Sequence, residues 1–193
     1  MIKDERAIFM YLNKCLKEEN LALKVICVGG FVLSHYGMRT TMDIDAFYKS
    51  TKKIESIIGK VGEHFSINNQ NELWLNHSVD SMNDCPPEKI CNVLYKFSNL
   101  IVLMPPLDYI AGMKLISARV QDVEDVAMII KKEKIKSPKD YRLKLNEYGF
   151  FGIDESVLLE SFGIAYGMEW LEKYYIENEK EIIQMIKQST SEK

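Results

Sequence analysis

Asp43 and Asp45 are the residues of this sequence whose types and spacing are best suited to chemistry. They lie in an alternating run, residues 42–48, which has the two-residue period of a β-strand. Carboxylates two residues apart on a strand point to the same face, with α-carbons about 6.6 Å apart. Mg²⁺ prefers oxygen ligands and usually takes one or two carboxylates together with substrate phosphates. The pair therefore predicts a metal site; the alternative is that both carboxylates only face water on a half-exposed strand.

Gly29 and Gly30 offer a place for a phosphate. They follow a short β-branched run, residues 24–28, and precede a short helical segment, residues 31–36. Backbone N–H groups at the start of a helix favour anions, and glycine lets a ligand approach the backbone closely. A tight turn that binds nothing is the alternative explanation of the same two residues.

Arg39 and Thr40, just before the predicted D-x-D strand, are further candidates for phosphate contact. A guanidinium group matches the geometry of a phosphate, although an arginine in this position is as often structural. The complete order is strand, Gly-Gly, short helix, Arg-Thr-Thr and D-x-D strand. Each part supplies something that binding of a nucleoside triphosphate and its metal requires.

The remaining elements must position these residues. Helical spacing of apolar residues predicts helices over about 3–20, 51–65, 107–119, 123–132, 138–147, 155–165 and 167–187. A β-hairpin is predicted over 90–97 and 100–104, and residues 66–87 carry mostly loop signals. The pattern predicts an α+β (α/β-like) fold. We expect a small mixed-sheet core with helices over residues 1–105, followed by a helical portion over 106–193 that completes the site.

Composition excludes several classes of protein. With 47% hydrophobic and 27% charged residues, the chain is neither disordered nor fibrous. A net charge of -3 argues against a protein that coats nucleic acid with its whole surface. No apolar run approaches the ~18 residues of a membrane span, so a cytoplasmic protein without membrane contact is expected. The four cysteines have no C-x-x-C spacing and are read as reduced thiols, with Cys27 buried in a strand.

The stretch V-G-G-F-V-x₆-R-T-T-M-D-I-D, residues 28–45, resembles the polymerase-β-like nucleotidyltransferase superfamily. It is especially similar to small bacterial nucleotidyltransferases of the AbiEii and DUF6036 type, which occur in toxin–antitoxin and phage-defence systems. The resemblance implies that Asp43 and Asp45 bind Mg²⁺ (or Mn²⁺) and that Gly29 and Gly30 hold the triphosphate. A nucleotide would then pass from an NTP to an acceptor hydroxyl on RNA, tRNA or protein, with release of pyrophosphate.

A second block, residues 107–126, extends the resemblance. AbiEii-like proteins carry a helix with a lysine, followed by an arginine and an acidic D-x-x-D, and Lys114, Asp122 and Asp125 match these positions. The resemblance implies that the lysine contacts phosphate and that one of the two acids serves the site. On one unbroken helix Lys114 and Asp125 would lie ~16 Å apart along the axis, so a break near Gln121 is expected. The alternatives are an aspartate that caps a new helix and a lysine that extends into solvent.

One departure from the superfamily bears on activity. Many members hold a third carboxylate on a later strand, but the predicted hairpin strands contain neither Asp nor Glu. Asp80, Asp84 and Glu72 are close in sequence, in an irregular segment. A catalytically silent protein that binds a nucleotide or a partner, such as a cognate antitoxin, is therefore the alternative function.

Residues 131–144 hold seven basic residues against two acids, with Tyr141 among them. Such segments bind nucleic-acid backbones, and an aromatic ring can stack on a base. The segment suggests an RNA partner, and a solvated linker between helices is the alternative. The aromatic residues that follow it are interpreted as core: Phe150, Phe151, Phe162, Tyr166, Trp170, Tyr174 and Tyr175.

Overall fold

The computed structural model describes residues 4–68, 72–77 and 85–191. The chain divides into two compact units, Met1–Pro106 and Leu107–Lys193, which we call the N-terminal unit and the C-terminal unit. The mixed sheet and the helices of the described residues confirm the predicted α+β class.

The N-terminal unit is built on a five-stranded mixed sheet of order β3-β2-β1-β5-β4. Its elements are α1 Glu5–Glu18, β1 Leu23–Cys27, α2 Gly29–His35, β2 Ile44–Phe47, α3 Lys52–Phe65, β3 Leu75–Asn76, β4 Asn92–Lys96 and β5 Leu100–Met104. The central strand β1 runs antiparallel to β2 and parallel to β5. The hairpin of β4 and β5 is antiparallel, as the sequence predicts.

Helices α1 and α3 contribute to the core of this unit. Side chains at three- and four-residue spacing on α1 are buried, among them Phe9 and Leu12, and they pack with Val25 of β1. The helix begins where Asp4 accepts a hydrogen bond from the Ala7 N–H, at 2.9 Å. Burial of this apolar stripe, rather than helix propensity, supplies most of the stabilisation of such a helix.

A short strand that the sequence does not predict forms one edge of the sheet. In β3, Leu75 pairs with Ile44 of β2 in parallel register. Trp74, just before it, is fully buried, and its indole N–H donates to the Ile58 carbonyl of α3 at 2.9 Å. Two residues are too few to show a strand period, which explains why the loop signals around them dominate. Asp80 and Asp84 lie outside the described residues.

In the described part of the C-terminal unit, all regular elements are helices. They are α4 Leu107–Ser117, α5 Val120–Glu133, α6 Pro138–Glu147, α7 Glu155–Tyr166 and α8 Met168–Ser191, the last kinked at Asn178. The break between α4 and α5 lies at Ala118 and Arg119, two to three residues before the expected position at Gln121. No helix among the described residues is long and apolar enough to cross a membrane.

Candidate active site

Backbone pairing holds Asp45 beside the end of β1. Ala46, the next residue of β2, pairs with Cys27, and the Val28 N–H donates to the Asp45 carbonyl at 2.8 Å. Asp43 lies one residue before β2, and both aspartates are half-buried. The pairing therefore places Asp45 where the chain leaves β1 and enters the glycine turn.

The Asp45 carboxylate lies against Gly29. Gly29 has a φ of +62°, in the left-handed region, and a Cβ built on it would lie 2.9 Å from Oδ2 of Asp45. A side chain at position 29 would therefore displace the carboxylate as well as strain the backbone. The structure thus gives one physical reason for a glycine next to the D-x-D strand.

Gly30 is surrounded by the residues that precede the aspartates. A Cβ at Gly30 would lie 3.4 Å from Oγ1 of Thr41 and 3.8 Å from Cζ of Arg39. The structure therefore brings the guanidinium group to the predicted phosphate-binding turn. Thr40, the other predicted residue of this segment, is exposed.

Thr41 belongs to the predicted Arg-Thr-Thr segment, but the sequence does not single it out as a phosphate contact. Its hydroxyl lies 3.0 Å from the Asp43 carbonyl, to which it donates, and 3.2 Å from Oδ1 of the same residue. Such short-range hydroxyl bonds fix turns. A threonine two residues before an aspartate is a weak signal for this geometry, because the same spacing is common in turns that bind nothing.

The carboxylates of Asp43 and Asp45 fit a cation whose remaining ligands come from a bound substrate and water. Among the described residues, no group of three or more His, Cys, Asp or Glu side chains could hold a metal ion. Two half-buried carboxylates match the usual protein share of a Mg²⁺ site, in which substrate phosphates and water complete the octahedron. The residues present therefore fit a metal–triphosphate complex better than a permanently held ion.

Lys114 lies in a buried ion cluster of the C-terminal unit. Its Nζ is 2.8 Å from Oδ1 of Asp122 and 2.6 Å from Oδ2 of Asp125. The lysine side chain is 8% exposed and the Asp122 side chain 1% exposed. The interpretation of Lys114 as a lysine that extends into solvent is therefore wrong, because its ammonium group joins α4 to α5.

Arg119 completes the cluster from the position just before α5. Its Nε lies 2.8 Å from Oδ2 of Asp122, while most of its side chain remains exposed. Burial acts to raise the pKa of Asp122, but hydrogen bonds from Arg119 and Lys114 outweigh burial and hold that pKa below its usual value. Arg119 occupies the position before the helix, so Asp122 is not the capping residue that the alternative interpretation expects.

The basic segment differs from its sequence prediction. Tyr141 is 2% exposed, so the prediction that it stacks on a nucleic-acid base is wrong. Arg142 pairs with the buried Glu155 at 2.8 Å, and Lys144 pairs with Asp108. The amphipathic character of α6 explains the difference, because its apolar side carries the aromatic ring into the core of the unit.

The cysteine predictions agree with the structure in the described residues. All four cysteines are free, and Cys27 is buried in β1. Burial raises the pKa of the Cys27 thiol well above its ordinary value, so the thiol stays protonated and unreactive at neutral pH.

Comparison with known protein families shows to which family the chain belongs. Residues 6–141 match the DUF6036 family, which is described as a nucleotidyltransferase of unknown function. The chain belongs to this family. No curated protein and no solved structure matched it. The match confirms the resemblance to nucleotidyltransferases and includes the glycine turn, both aspartates and the Lys114 cluster of this DUF6036 protein. Helices α7 and α8 lie beyond it.

Proposed function

We propose that this DUF6036 protein transfers a nucleotide from an NTP to an acceptor hydroxyl, with Asp43 and Asp45 binding Mg²⁺ or Mn²⁺. The observation that carries the proposal is the Asp45 carboxylate in contact with the left-handed turn at Gly29. A carboxylate for the metal and a bare backbone for the phosphates then lie side by side. Membership of a nucleotidyltransferase family supports the same reaction class.

The proposed chemistry is in-line displacement at the α-phosphorus. The acceptor oxygen forms a bond to phosphorus and loses its proton, while the bond to the β-phosphate breaks and pyrophosphate leaves. A cation bound by Asp43 and Asp45 would neutralise charge on the phosphate oxygens. The remaining task of the protein is positioning and electrostatic stabilisation.

The residues around the glycine turn have separate roles in that positioning. Gly29 and Gly30 let the triphosphate approach the backbone, and Arg39, held near Gly30, neutralises phosphate charge. Thr41 keeps Asp43 in place through its hydroxyl. Thr40 is proposed as a second phosphate contact because it is exposed beside Arg39.

The prediction that Lys114, Asp122 and Asp125 belong to the site is supported only by the resemblance. The geometry favours a structural role for Lys114, because two of the three N–H donors of its ammonium group already meet carboxylates. We therefore assign no step of the reaction to this cluster.

A catalytically silent binding protein is the second candidate function. The observation that favours it is the missing third carboxylate: the described residues offer two aspartates at the turn and no group of three or more possible ligands. Such a protein would bind a triphosphate or a partner, for example a cognate antitoxin, without transfer.

The test is incubation of the protein with each NTP, labelled at the α-phosphate, together with Mg²⁺ and total bacterial tRNA. Label is followed into RNA and into protein, which identifies the base and the acceptor. We expect Asp43→Asn and Asp45→Asn each to lower transfer by about 10²-fold or more, because positioned charge in the site is lost.

Asp140→Asn is the matched control, because Asp140 is an exposed aspartate of the C-terminal unit. It should transfer at the rate of the unchanged protein. Absence of transfer from every NTP, with triphosphate binding still detectable, would instead establish the silent binding protein.

A further inference from the structure

A cavity of about 250 Å³ in the C-terminal unit is lined by none of the residues assigned to transfer. It is lined by Lys136, Trp170, Lys173, Tyr174 and Glu177. The four residues from α8 have the spacing i, i+3, i+4 and i+7, so they share one face of the helix. These four lie beyond residue 141, where the family match ends.

The aromatic wall of the cavity is a stack of rings anchored in the core. Trp170 stacks on the buried Phe162, with centroids 5.7 Å apart and an interplanar angle of 17°. Tyr174 continues the stack at 5.3 Å from Trp170, with an angle of 8°. Trp170 and Tyr174 are both half-buried. Their rings are held in place before any ligand arrives, so little conformational entropy is lost on binding.

A lysine is held beside these rings. The Lys136 Nζ lies 3.9 Å from the centroid of the Tyr166 ring, in a cation–π contact. The Tyr166 hydroxyl donates to the Ile135 carbonyl at 2.6 Å, which fixes the backbone next to Lys136. Tyr166 thus holds both the ammonium group and its chain segment at the cavity.

The charge at the cavity is mixed. Lys173 lies 3.7 Å from Glu177, so the lining combines two cations with one carboxylate. The exposed surface of α8 around it is acidic, with Glu169, Glu172 and Glu179. These carboxylates repel the two phosphate strands of duplex RNA more strongly than the few phosphates of a short single strand, which the two lysines attract.

We propose that this cavity binds an unpaired nucleotide of single-stranded RNA. The base contacts the rings of Trp170 and Tyr174, and the neighbouring phosphates meet Lys136 and Lys173. Trp170 lies between Phe162 and Tyr174, so the base packs against the edge and the outer end of this ring stack. Aromatic contacts of this kind carry no strong sequence preference, and lysines bind the backbone phosphates. The volume suits a single nucleotide rather than a helix. Tyr141 of the basic segment is buried and cannot contact a base. Trp170 and Tyr174 provide that aromatic contact instead, next to Lys136 of the same segment.

Binding can be followed with a short unstructured RNA oligonucleotide labelled at its 5′ end. Fluorescence anisotropy gives Kd, and quenching of tryptophan reports contact, since Trp74 is 0% exposed and Trp170 is the other tryptophan of the chain. We expect Trp170→Ala to raise Kd at least about fivefold, because the middle of the ring stack that the base contacts is lost, and Trp170→Phe to raise it less. Lys136→Glu should weaken binding and flatten its salt dependence.

Matched variants keep the test independent of folding and of transfer. Phe151→Ala and Lys180→Glu remove an exposed aromatic ring and an exposed lysine elsewhere in the C-terminal unit, and both should bind RNA normally. The binding measurements contain no NTP and no metal ion, so failure of the proposed transfer leaves this result unaffected.

Three results would overturn the proposal. The first is unchanged Kd in folded Trp170→Ala and Lys136→Glu. The second is tighter binding of a duplex of the same sequence than of the single strand. The third is quenching of Trp170 by free AMP or ATP at the concentrations at which the oligonucleotide acts, which would assign the cavity to a mononucleotide.

Discussion

Gly29 and Gly37 both have a positive φ, +62° and +71°, but only Gly29 lies against a side chain that we propose for the site. A Cβ at Gly29 would meet the Asp45 carboxylate, whereas a Cβ at Gly37 would have nothing within 4 Å. Backbone strain and displacement of the carboxylate can therefore be separated by two alanine substitutions.

Gly29→Ala should cost about 1–2 kcal/mol of stability through the left-handed conformation. It should also abolish transfer, because Oδ2 of Asp45 has to move away from the turn. Gly37→Ala should lose a similar free energy of unfolding but keep its transfer rate. Urea denaturation and the labelled-NTP assay measure the two effects. Full activity in Gly29→Ala would show that the contact between residue 29 and Asp45 does not matter for the reaction.

At the scale of elements, the Lys114 cluster joins two helices at a break that glycine does not mark. Ala118 has a φ of +48°, a conformation that costs an alanine about 1–2 kcal/mol. Ion pairs from Lys114 to Asp122 and Asp125 lie across this break and hold α5 against α4. The cluster therefore compensates for a strained connection.

Lys114→Met should destabilise the C-terminal unit by about 3–5 kcal/mol, since Asp122 and Asp125 lose the buried ammonium group that they share. The matched exposed substitution, Lys131→Met, should change stability by no more than about 0.5 kcal/mol. Thermal unfolding followed by circular dichroism measures both. If Lys114 instead contacts phosphate, Lys114→Met would keep its stability and lose triphosphate affinity.

The stability of the molecule as a whole carries a pH dependence from the same cluster. The pKa of Asp122 is lower in the folded protein than its usual value of 3.8, so its ionised form is stabilised by folding. That contribution is complete above the usual pKa and is lost as pH falls through the folded pKa.

The difference in free energy of unfolding between the unchanged protein and Asp122→Asn should therefore be largest above about pH 5 and shrink below about pH 4. Urea denaturation across this range measures it. Asp140→Asn, at an exposed position, should follow the curve of the unchanged protein. A constant difference for Asp122→Asn at all pH values would contradict the assignment.

The sequence predicts the local parts of this molecule well. The glycine turn, the strand of Asp45 and the helical half all follow from short-range periodicity, and the α+β class follows from their order. Long-range features are different. The sheet order places β5 beside β1, and the burial of Trp74 depends on α3, yet neither partner is visible from the local pattern.

The site shows the same limit. Spacing predicts Asp43 and Asp45 on one strand, but the strand begins only at Ile44, after Asp43. Contact between Asp45 and Gly29 depends on the register of β1 and β2. The burial of Tyr141 depends on how helices pack, so the sequence prediction that this ring stacks on a base was wrong, whereas the interpretation of Trp170 as a ring packed against the core is confirmed. The backbone of Ala118 could not be predicted either, because alanine does not favour the left-handed conformation that it has there.

The parallel pairing of β1 with β5 sets an order of events while the chain is being made. Leu23 pairs with Leu100, so the strand that leads into the glycine turn leaves the ribosome long before its partner exists. At ~5–20 residues per second this wait lasts about 4–15 seconds. During it, β1 has β2 on one side and an apolar, unpaired edge on the other, which is open to other nascent chains. Each new copy therefore passes through an aggregation-prone interval that ends only when β5 is translated.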